Sequence, residues 1–249
     1  MRKAIPVTGS DFKTFPANPR RSAWDGLYFA TMNLPERVAV MALPNAILFP
    51  RAFLPVHVFE ERYRLMLAEC LRDTRLMAVA LRKEGAATET PHTVAGIGVI
   101  RTSIRQPDGT SNLVVEGLAR VQILEYTQLQ PYRVARIQQL DSIPTVPSPV
   151  RAELVATVQK LTKARARFGA ELPAAALKSL LTVEDMEHLT DLVGHTLLDD
   201  FRQKQLLLET LDVQARLDRL VAVLRQQLRQ VELWRKLQGD LPNDHVGQN

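Results

Sequence analysis

The sequence has one cysteine and no long apolar segment, and each of these absences excludes a class of protein. Cys70 cannot form a disulfide within the chain, and no group of thiols or histidines has the spacing of a structural zinc site. No segment approaches the roughly 18 to 20 apolar residues that a membrane helix needs. The residues that follow Arg2 and Lys3 lack the apolar stretch of a secretory signal. We therefore predict a cytoplasmic protein that does not enter a membrane.

The motifs of common catalytic sites are also missing. None of the 11 glycines is followed by lysine, which excludes the phosphate-binding loop of ATPases. No serine has the Gly-x-Ser-x-Gly setting found in many hydrolases. Lys178 and Ser179 are neighbours on a predicted helix, where they point about 100° apart and cannot form a dyad by themselves. We predict that the protein is not an enzyme and uses no cofactor.

The net charge of +5 is spread unevenly along the chain. Residues 1–31 carry 5 basic against 2 acidic side chains, whereas residues 32–149 carry 13 against 11 and residues 150–238 carry 14 against 12. A nucleic-acid-binding domain normally shows a concentrated basic stripe. The two regions that we expect to fold are close to balanced, so the charge makes nucleic acid an unlikely partner.

The first part of the chain is predicted to be β-rich. Residues 1–34 show no periodicity and are interpreted as a disordered leader, and residues 35–141 form the β-rich region. Alternating or β-branched runs predict strands at 38–43, 53–59, 76–81, 94–104, 113–124 and 132–140, with a hairpin turn at 106–110. One helix, at 60–71, would bury Cys70. This pattern predicts a compact, mostly antiparallel barrel or curled sheet.

The second part is predicted to be helical. Three prolines in residues 142–149 mark a linker, and helices are predicted at 149–168, 173–181, 183–198, 201–211 and 213–238. Thr182 and Asp185 resemble a capping box, and Asp212 is the predicted N-cap of the last helix. Residues 150–238 would form a helical bundle, followed by a disordered tail at 239–249. The fold class is therefore α+β.

Four potential metal ligands occur at helical spacing. Glu184, His188, Asp191 and His195 are separated by 4, 3 and 4 residues, which places them on one helical face. A tetrahedral ion usually takes ligands from at least two elements, so we predict no metal site and interpret this face as solvated. His57 lies alone in an apolar strand and is predicted to be structural.

The last helix has an apolar stripe that extends close to its end. About 26 residues span roughly 39 Å, which is longer than a small bundle covers. We predict that this helix self-associates or docks to a partner, with packing back onto the bundle as the alternative. The candidate partner-binding residues are Leu224, Leu228, Val231 and Trp234.

Several segments of the sequence match the pattern of one family. Residues 43–50, 54–60 and 62–63 combine regularly placed prolines with an aromatic ending, and residues 112–121, 132–135 and 204–209 follow in the same order. Over about residues 36–230, the chain resembles the N-terminal, substrate-binding domain of the Lon protease family. We expect structural roles for the motif residues Pro44, Phe49, Pro50, Leu54, Pro55, Phe59, Tyr63 and Gly117. Phe59→Ala should cost about 3 to 5 kcal/mol if Phe59 is buried, and a cost under about 1 kcal/mol would mean that it is exposed.

This resemblance implies a PUA-like β-barrel that packs on a helical bundle with a long C-terminal helix. It also implies binding of polypeptide substrates or a partner protein, through apolar surface on the barrel or at its junction with the bundle. Lon proteases continue into an ATPase and a Ser-Lys peptidase, for which this sequence has no motifs. We therefore expect a non-catalytic adaptor or holdase, and an RNA-binding PUA-like protein is the alternative.

Overall fold

The computed structural model describes residues 34–85, 89–144, 149–166 and 172–239. Its strands are β1 (Arg37–Leu43), β2 (Phe53–Val58), β3 (Leu76–Leu81), β4 (Val94–Arg105), β5 (Ser111–Gln128) and β6 (Arg133–Leu140). Its helices are α1 (Glu61–Arg72), α2 (Val150–Ala166), α3 (Ala174–Thr182), α4 (Met186–Leu197), α5 (Phe201–Glu209) and α6 (Val213–Gly239). Each predicted strand and helix is present, with ends that differ by a few residues; α4 begins at Met186 rather than at residue 183, and residues 167 and 168 of the predicted second helix lie outside the described residues. The predicted leader and tail lie outside the described residues, apart from Leu34 and Gly239.

The six strands form one mixed sheet in which five strands pair in a closed cycle. β1 pairs with β3, β3 with β4, β4 with β5, β5 with β6, and β6 returns to β1. β2 adds to the outside of this cycle through β5. Among the pairings between the six strands only β1–β3 is parallel, and an isolated parallel bridge joins Ile143 to Asp212. The β4–β5 hairpin turns at Gly109, whose φ of 83° suits glycine, so the predicted turn is confirmed.

The strands bury side chains on both faces. One face contributes small and β-branched residues such as Val40, Ala78 and Ile97 to a core shared by β1, β3, β4, β5 and β6. The other face packs against α1, which contributes Tyr63, Met66, Leu67 and Cys70. Cys70 is therefore a buried core residue, as predicted, and burial raises the pKa of its thiol to about 11.

The connection between β1 and β2 crosses the sheet at very short range. A side chain on Gly96 would meet the carbonyl oxygen of Leu48, and one on Gly117 would meet that of Phe49. Only glycine permits the backbone to approach so closely. This connection carries the fully buried Phe49 away from the strands and into the core of the helical region.

The helical region is built around α6. Leu217, Leu220 and Leu224 of α6 are completely buried against the other helices. Asp212 caps α6, because its carboxylate accepts from the backbone N–H of Ala215 at 2.9 Å, and this prediction is confirmed. The predicted capping box was wrong. Thr182 ends α3, and Asp185 alone caps α4 by accepting from Glu187 N.

Candidate functional site

The outer side of β2 is an exposed apolar surface. Along this strand Val56 and Val58 point inward and are buried, whereas Phe53, Pro55 and His57 point outward. Phe59 follows the strand with the same alternation, and both Phe53 and Phe59 are 52% exposed. Large aromatic side chains that stay half accessible on a folded protein provide contact area for a partner.

Neighbouring strands enlarge this surface. Val114 of β5 lies opposite Pro55, and Thr102 of β4 lies beyond it. In the next row His57 lies opposite Asn112, and Ile104, which is 51% exposed, lies beyond. We call this surface the β2 face and define it as Phe53, Pro55, His57, Phe59, Ile104 and Val114.

His57 orders the centre of the β2 face. Its Nδ1 lies 2.7 Å from Oδ1 of Asn112, a distance at which the ring nitrogen donates to the amide oxygen. The ring also stacks on Phe59, with centroids 5.9 Å apart and planes 24° apart. His57 is therefore hydrogen-bonded locally, as predicted, and it holds Phe59 in place.

The chemistry of β2 favours contacts through its face rather than through its edge. Within the described residues β2 pairs with β5 alone, so its other edge carries no strand. Pro55, in the middle of β2, has no N–H and cannot take part in a continuous ladder with an added strand. A partner would therefore gain most from packing on the exposed side chains.

A second concave surface lies where the strands meet α4. This cleft has a volume of about 250 Å³ and is bordered by Pro50, Leu118, Leu140, Ser142 and Glu187. It ends on two side chains that are only 1% exposed, Arg120 of β5 and Asp191 of α4. The cleft is thus polar where the β2 face is apolar.

Arg120 and Asp191 belong to a buried ionic cluster. Arg120 donates from both terminal nitrogens to the Asp191 carboxylate, and Nη1 lies 2.9 Å from Oδ2. Arg216 of α6 donates to Oδ1 of the same carboxylate at 2.9 Å. Burial and the neighbouring Arg120 lower the pKa of Arg216. The second negative charge is Glu187, whose carboxylate lies 3.8 Å from Arg120 and 3.9 Å from Arg216.

Further hydrogen bonds tie this cluster to both regions of the chain. Arg120 Nε donates to the carbonyl of Leu208 at 3.1 Å, and Arg216 Nη2 donates to Ser142 Oγ at 2.5 Å. Ser142 in turn donates to Glu187 at 2.5 Å. The two arginines and the two acidic side chains balance in charge, so the cluster joins strands to helices without requiring a charged ligand. One buried nitrogen, Arg216 Nε, has no hydrogen-bond partner among the described residues.

The placement of Asp191 corrects the interpretation of its helix. Asp191 is buried, and His195 of the same predicted solvated face packs edge-on against Phe49 at 6.4 Å. Burial lowers the pKa of His195 to about 4. Only Glu184 of the four residues is exposed, and α4 begins after it. The prediction failed because α4 lies between the strands and the other helices, and is therefore buried on more than one side.

Two further properties of the described residues concern metals and membranes. No group of three His, Cys, Asp or Glu side chains there could hold a metal ion. No helix in the same residues is long and apolar enough to cross a membrane.

Comparison with known proteins relates this architecture to one family. The family model of the substrate-binding domain of the ATP-dependent protease La (LON) matches residues 37–226, which include every strand and most of the helical region. The chain belongs to the LON substrate-binding domain family. The β2 face and the ionic cluster both lie within the matched residues.

Relatives of this LON domain are much longer proteins. Lon protease of Dictyoglomus thermophilum is 24% identical over 218 residues, which are 86% of this chain and 27% of that protein. Lon protease 2 of Herpetosiphon aurantiacus is 30% identical over 223 residues, 86% of this chain and 26% of that protein. The chain thus spans about a quarter of the length of these relatives.

Solved structures show the same fold. A Lon N-terminal domain protein from Xanthomonas campestris matches with a TM-score of 0.58 and 18% identity, over 75% of this chain and 97% of that one. The N-terminal domain of Lon protease from Mycobacterium avium complex matches with a TM-score of 0.60 and 20% identity, over 78% of this chain and 98% of that one.

The predicted motif residues of the LON domain occupy different environments. Phe49, Tyr63 and Gly117 are buried, Pro50 and Leu54 are half-buried, and Pro44 and Pro55 are exposed. Phe59 is 52% exposed, so the smaller of the two costs expected for Phe59→Ala applies. Every second side chain of a strand points to the same face, and here that set is Phe53, Pro55, His57 and Phe59. The outward position of His57 could therefore have indicated an outward Phe59.

The candidate partner-binding helix divides in two. Leu224 is completely buried, and Leu228 and Val231 are half-buried against the helical core, whereas Trp234 is exposed. Arg120 and Arg216 were not predicted as site residues. Arg120 is a charged residue within a strand whose side chains are regularly buried, and a buried charge indicates an ion pair. The sequence does not show which residue is its partner.

Proposed function

We propose that this LON domain binds extended or unfolded polypeptide segments through the β2 face, as an adaptor or holdase without catalytic activity. The proposal rests on three exposed apolar side chains, Phe53, Phe59 and Ile104. The paired strands hold them on one side of the sheet, within the residues that the family model matches. Membership of a substrate-binding domain family supports the same role.

The β2 face suits a sequence-tolerant partner. It presents apolar groups on three adjacent strands and contains one hydrogen-bonded pair, His57 with Asn112. The nearest ion pair, Arg101 with Glu116, is already formed and would contribute little to specificity. Apolar side chains that become exposed when a protein unfolds would match this surface, whatever their order in the sequence.

We further propose that the closed cycle of strands is a PUA-like barrel and that the protein works in the cytoplasm. The lack of a phosphate-binding loop and of a hydrolase elbow in the sequence supports a non-catalytic role. The RNA-binding alternative finds less support on the strands, because Arg101 is neutralised by Glu116 and the centre of the β2 face is apolar.

Binding of an unfolded polypeptide by the full chain tests this proposal. The ligand is fluorescein-labelled lactalbumin that has been reduced and carboxymethylated so that it stays unfolded, and the readout is fluorescence anisotropy. We expect Phe53→Ser combined with Phe59→Ser to weaken binding at least tenfold. Both side chains are half exposed, so circular dichroism and melting temperature should change little.

The matched control is Leu129→Ser. Leu129 is 64% exposed at the turn after β5 and does not belong to the β2 face. This variant should bind as the unmodified protein does. Equal affinity of the Phe53/Phe59 variant and the unmodified protein would refute the assignment of binding to the β2 face. Failure of the unmodified protein to bind would refute the proposed function itself.

A further inference from the structure

The end of α6 carries a second exposed apolar surface. Leu233, Trp234 and Leu237 are 58%, 63% and 52% exposed. At about 100° per residue, these three side chains lie within an arc of roughly 100° on the last turns of the helix. All three follow residue 226, where the match to the LON family model ends. The β2 face contains none of them.

α2 covers a different side of α6. Glu153 near the start of α2 pairs with Arg225 at 2.6 Å, and Lys163 and Ala164 near its end line a cleft with Val231 and Arg235. In these contacts the residue numbers of α2 and α6 rise together, so the two helices run parallel and end near each other. Leu228 and Val231 face α2, whereas Leu233, Trp234 and Leu237 remain exposed.

The two helix ends are strongly basic. Five exposed cations lie on these helix ends. Arg229 and Lys236 flank the apolar surface of α6, whereas Arg235 of α6 and Lys160 and Lys163 of α2 line the cleft on the α2 side. None of these five forms an ion pair with a residue that the structure describes, and the acidic side chain among them is Glu232. Cations favour helix C-termini because of the helix dipole. That effect acts within about one turn, whereas Arg229, Arg235 and Lys236 extend over about two turns of α6.

These charges select the occupant of the apolar surface. A second copy of the chain would bring its own Arg229 and Lys236 against the same two residues, and the other cations of the helix ends would add to the repulsion, which disfavours self-association through this end. An acidic partner would neutralise them while its apolar side chains cover Leu233, Trp234 and Leu237. We propose that the basic end of α2 and α6 docks an acidic amphipathic helix of a partner protein, independently of polypeptide binding by the β2 face.

A pair of designed peptides tests this docking on the full chain. Both are labelled amphipathic helices with the same leucine stripe, and one has glutamate and the other lysine at all flanking positions. We expect the acidic peptide to bind at least tenfold more tightly than the basic one, with an affinity that falls as salt rises. Trp234→Ala combined with Leu237→Ala should weaken acidic-peptide binding at least tenfold.

Charge reversal sharpens the test. Arg229→Glu combined with Lys236→Glu should lower the affinity for the acidic peptide and raise that for the basic one. Two control variants, Leu206→Ala and Arg219→Glu, alter an exposed leucine and an exposed arginine elsewhere in the helical region and should bind normally. Phe53→Ser with Phe59→Ser should also leave peptide binding unchanged, which separates this surface from the proposed function.

Three outcomes would overturn the proposal. The first is equal or undetectable binding of the two peptides. The second is a dimer, measured by light scattering at tens of micromolar, that Trp234→Ala with Leu237→Ala dissociates, because the occupant would then be a second copy. The third is displacement of the acidic peptide by a labelled single-stranded RNA with a steep salt dependence, which would identify a phosphate-binding surface.

Discussion

The strand region and the helical region are each held together by apolar packing, but their junction adds buried charge. Inside the strands the core consists of residues such as Val40 and Ile97, and inside the helices it consists mainly of leucines. At the junction, Phe49 inserts into the helical core beside the cluster of Arg120, Asp191 and Arg216. Hydrophobic periodicity therefore describes each region well and describes their connection poorly.

The largest effect should come from removing the acid at the centre of the junction. Asp191→Ala leaves Arg120 and Arg216 buried without their shared partner, and we expect it to lower the free energy of unfolding by about 4 to 5 kcal/mol. Urea denaturation followed by circular dichroism measures this loss. Glu187→Gln is the control, because Glu187 is 45% exposed and lies farther from both arginines. A loss of under about 1 kcal/mol for Asp191→Ala would show that the cluster is solvated.

The apolar contact across the junction should rank next. Phe49 is completely buried, so Phe49→Ala should cost about 3 to 4 kcal/mol through lost contacts and a residual cavity. Phe59→Ala, a change of the same size at a 52% exposed position, should cost under about 1 kcal/mol. Comparable losses in the two variants, measured by the same urea titration, would contradict the difference in burial.

A smaller effect should appear as the pH falls. Burial lowers the pKa of His195 to about 4, below the value near 6.5 of an unfolded histidine. The unfolded chain therefore binds a proton first, so stability that is present above pH 6.5 is lost as the pH falls toward 4. The loss should reach about 2 kcal/mol, because part of the ring keeps contact with solvent. Lys204, whose Nζ donates to the carbonyl of His195, adds a like charge.

Comparison with His195→Gln isolates this contribution from that of the carboxylates. Between pH 7 and pH 4, the unmodified protein should lose about 2 kcal/mol of unfolding free energy relative to the His195→Gln variant. Parallel pH profiles would mean that His195 titrates normally in the folded protein.

The sequence predictions were accurate within the strand region and within most of the helical region, and they failed at the junction between the two. Alternation predicted every strand, and the Asp212 cap was visible because its bonds are local. Asp191 could not be placed, because its partners lie 71 and 25 residues away and a helical wheel shows one helix without its neighbours. The boundary between α3 and α4 was misplaced for a related reason, since Thr182 and Asp185 are both acceptable caps and only packing selects one.

The order of pairing around the strands has a consequence for how a nascent chain acquires this shape. β5 hydrogen-bonds to β2, β4 and β6, and β1 meets β6 through pairs such as Arg37 with Arg136, about 100 residues apart. Hairpins such as β4–β5 can form as soon as they leave the ribosome, but the cycle cannot close until β6 has been synthesised. Such long-range pairing slows folding, and apolar strand surface stays accessible meanwhile. In pulsed hydrogen exchange we expect β1 and β6 amides to gain protection together, and later than those of the β4–β5 hairpin.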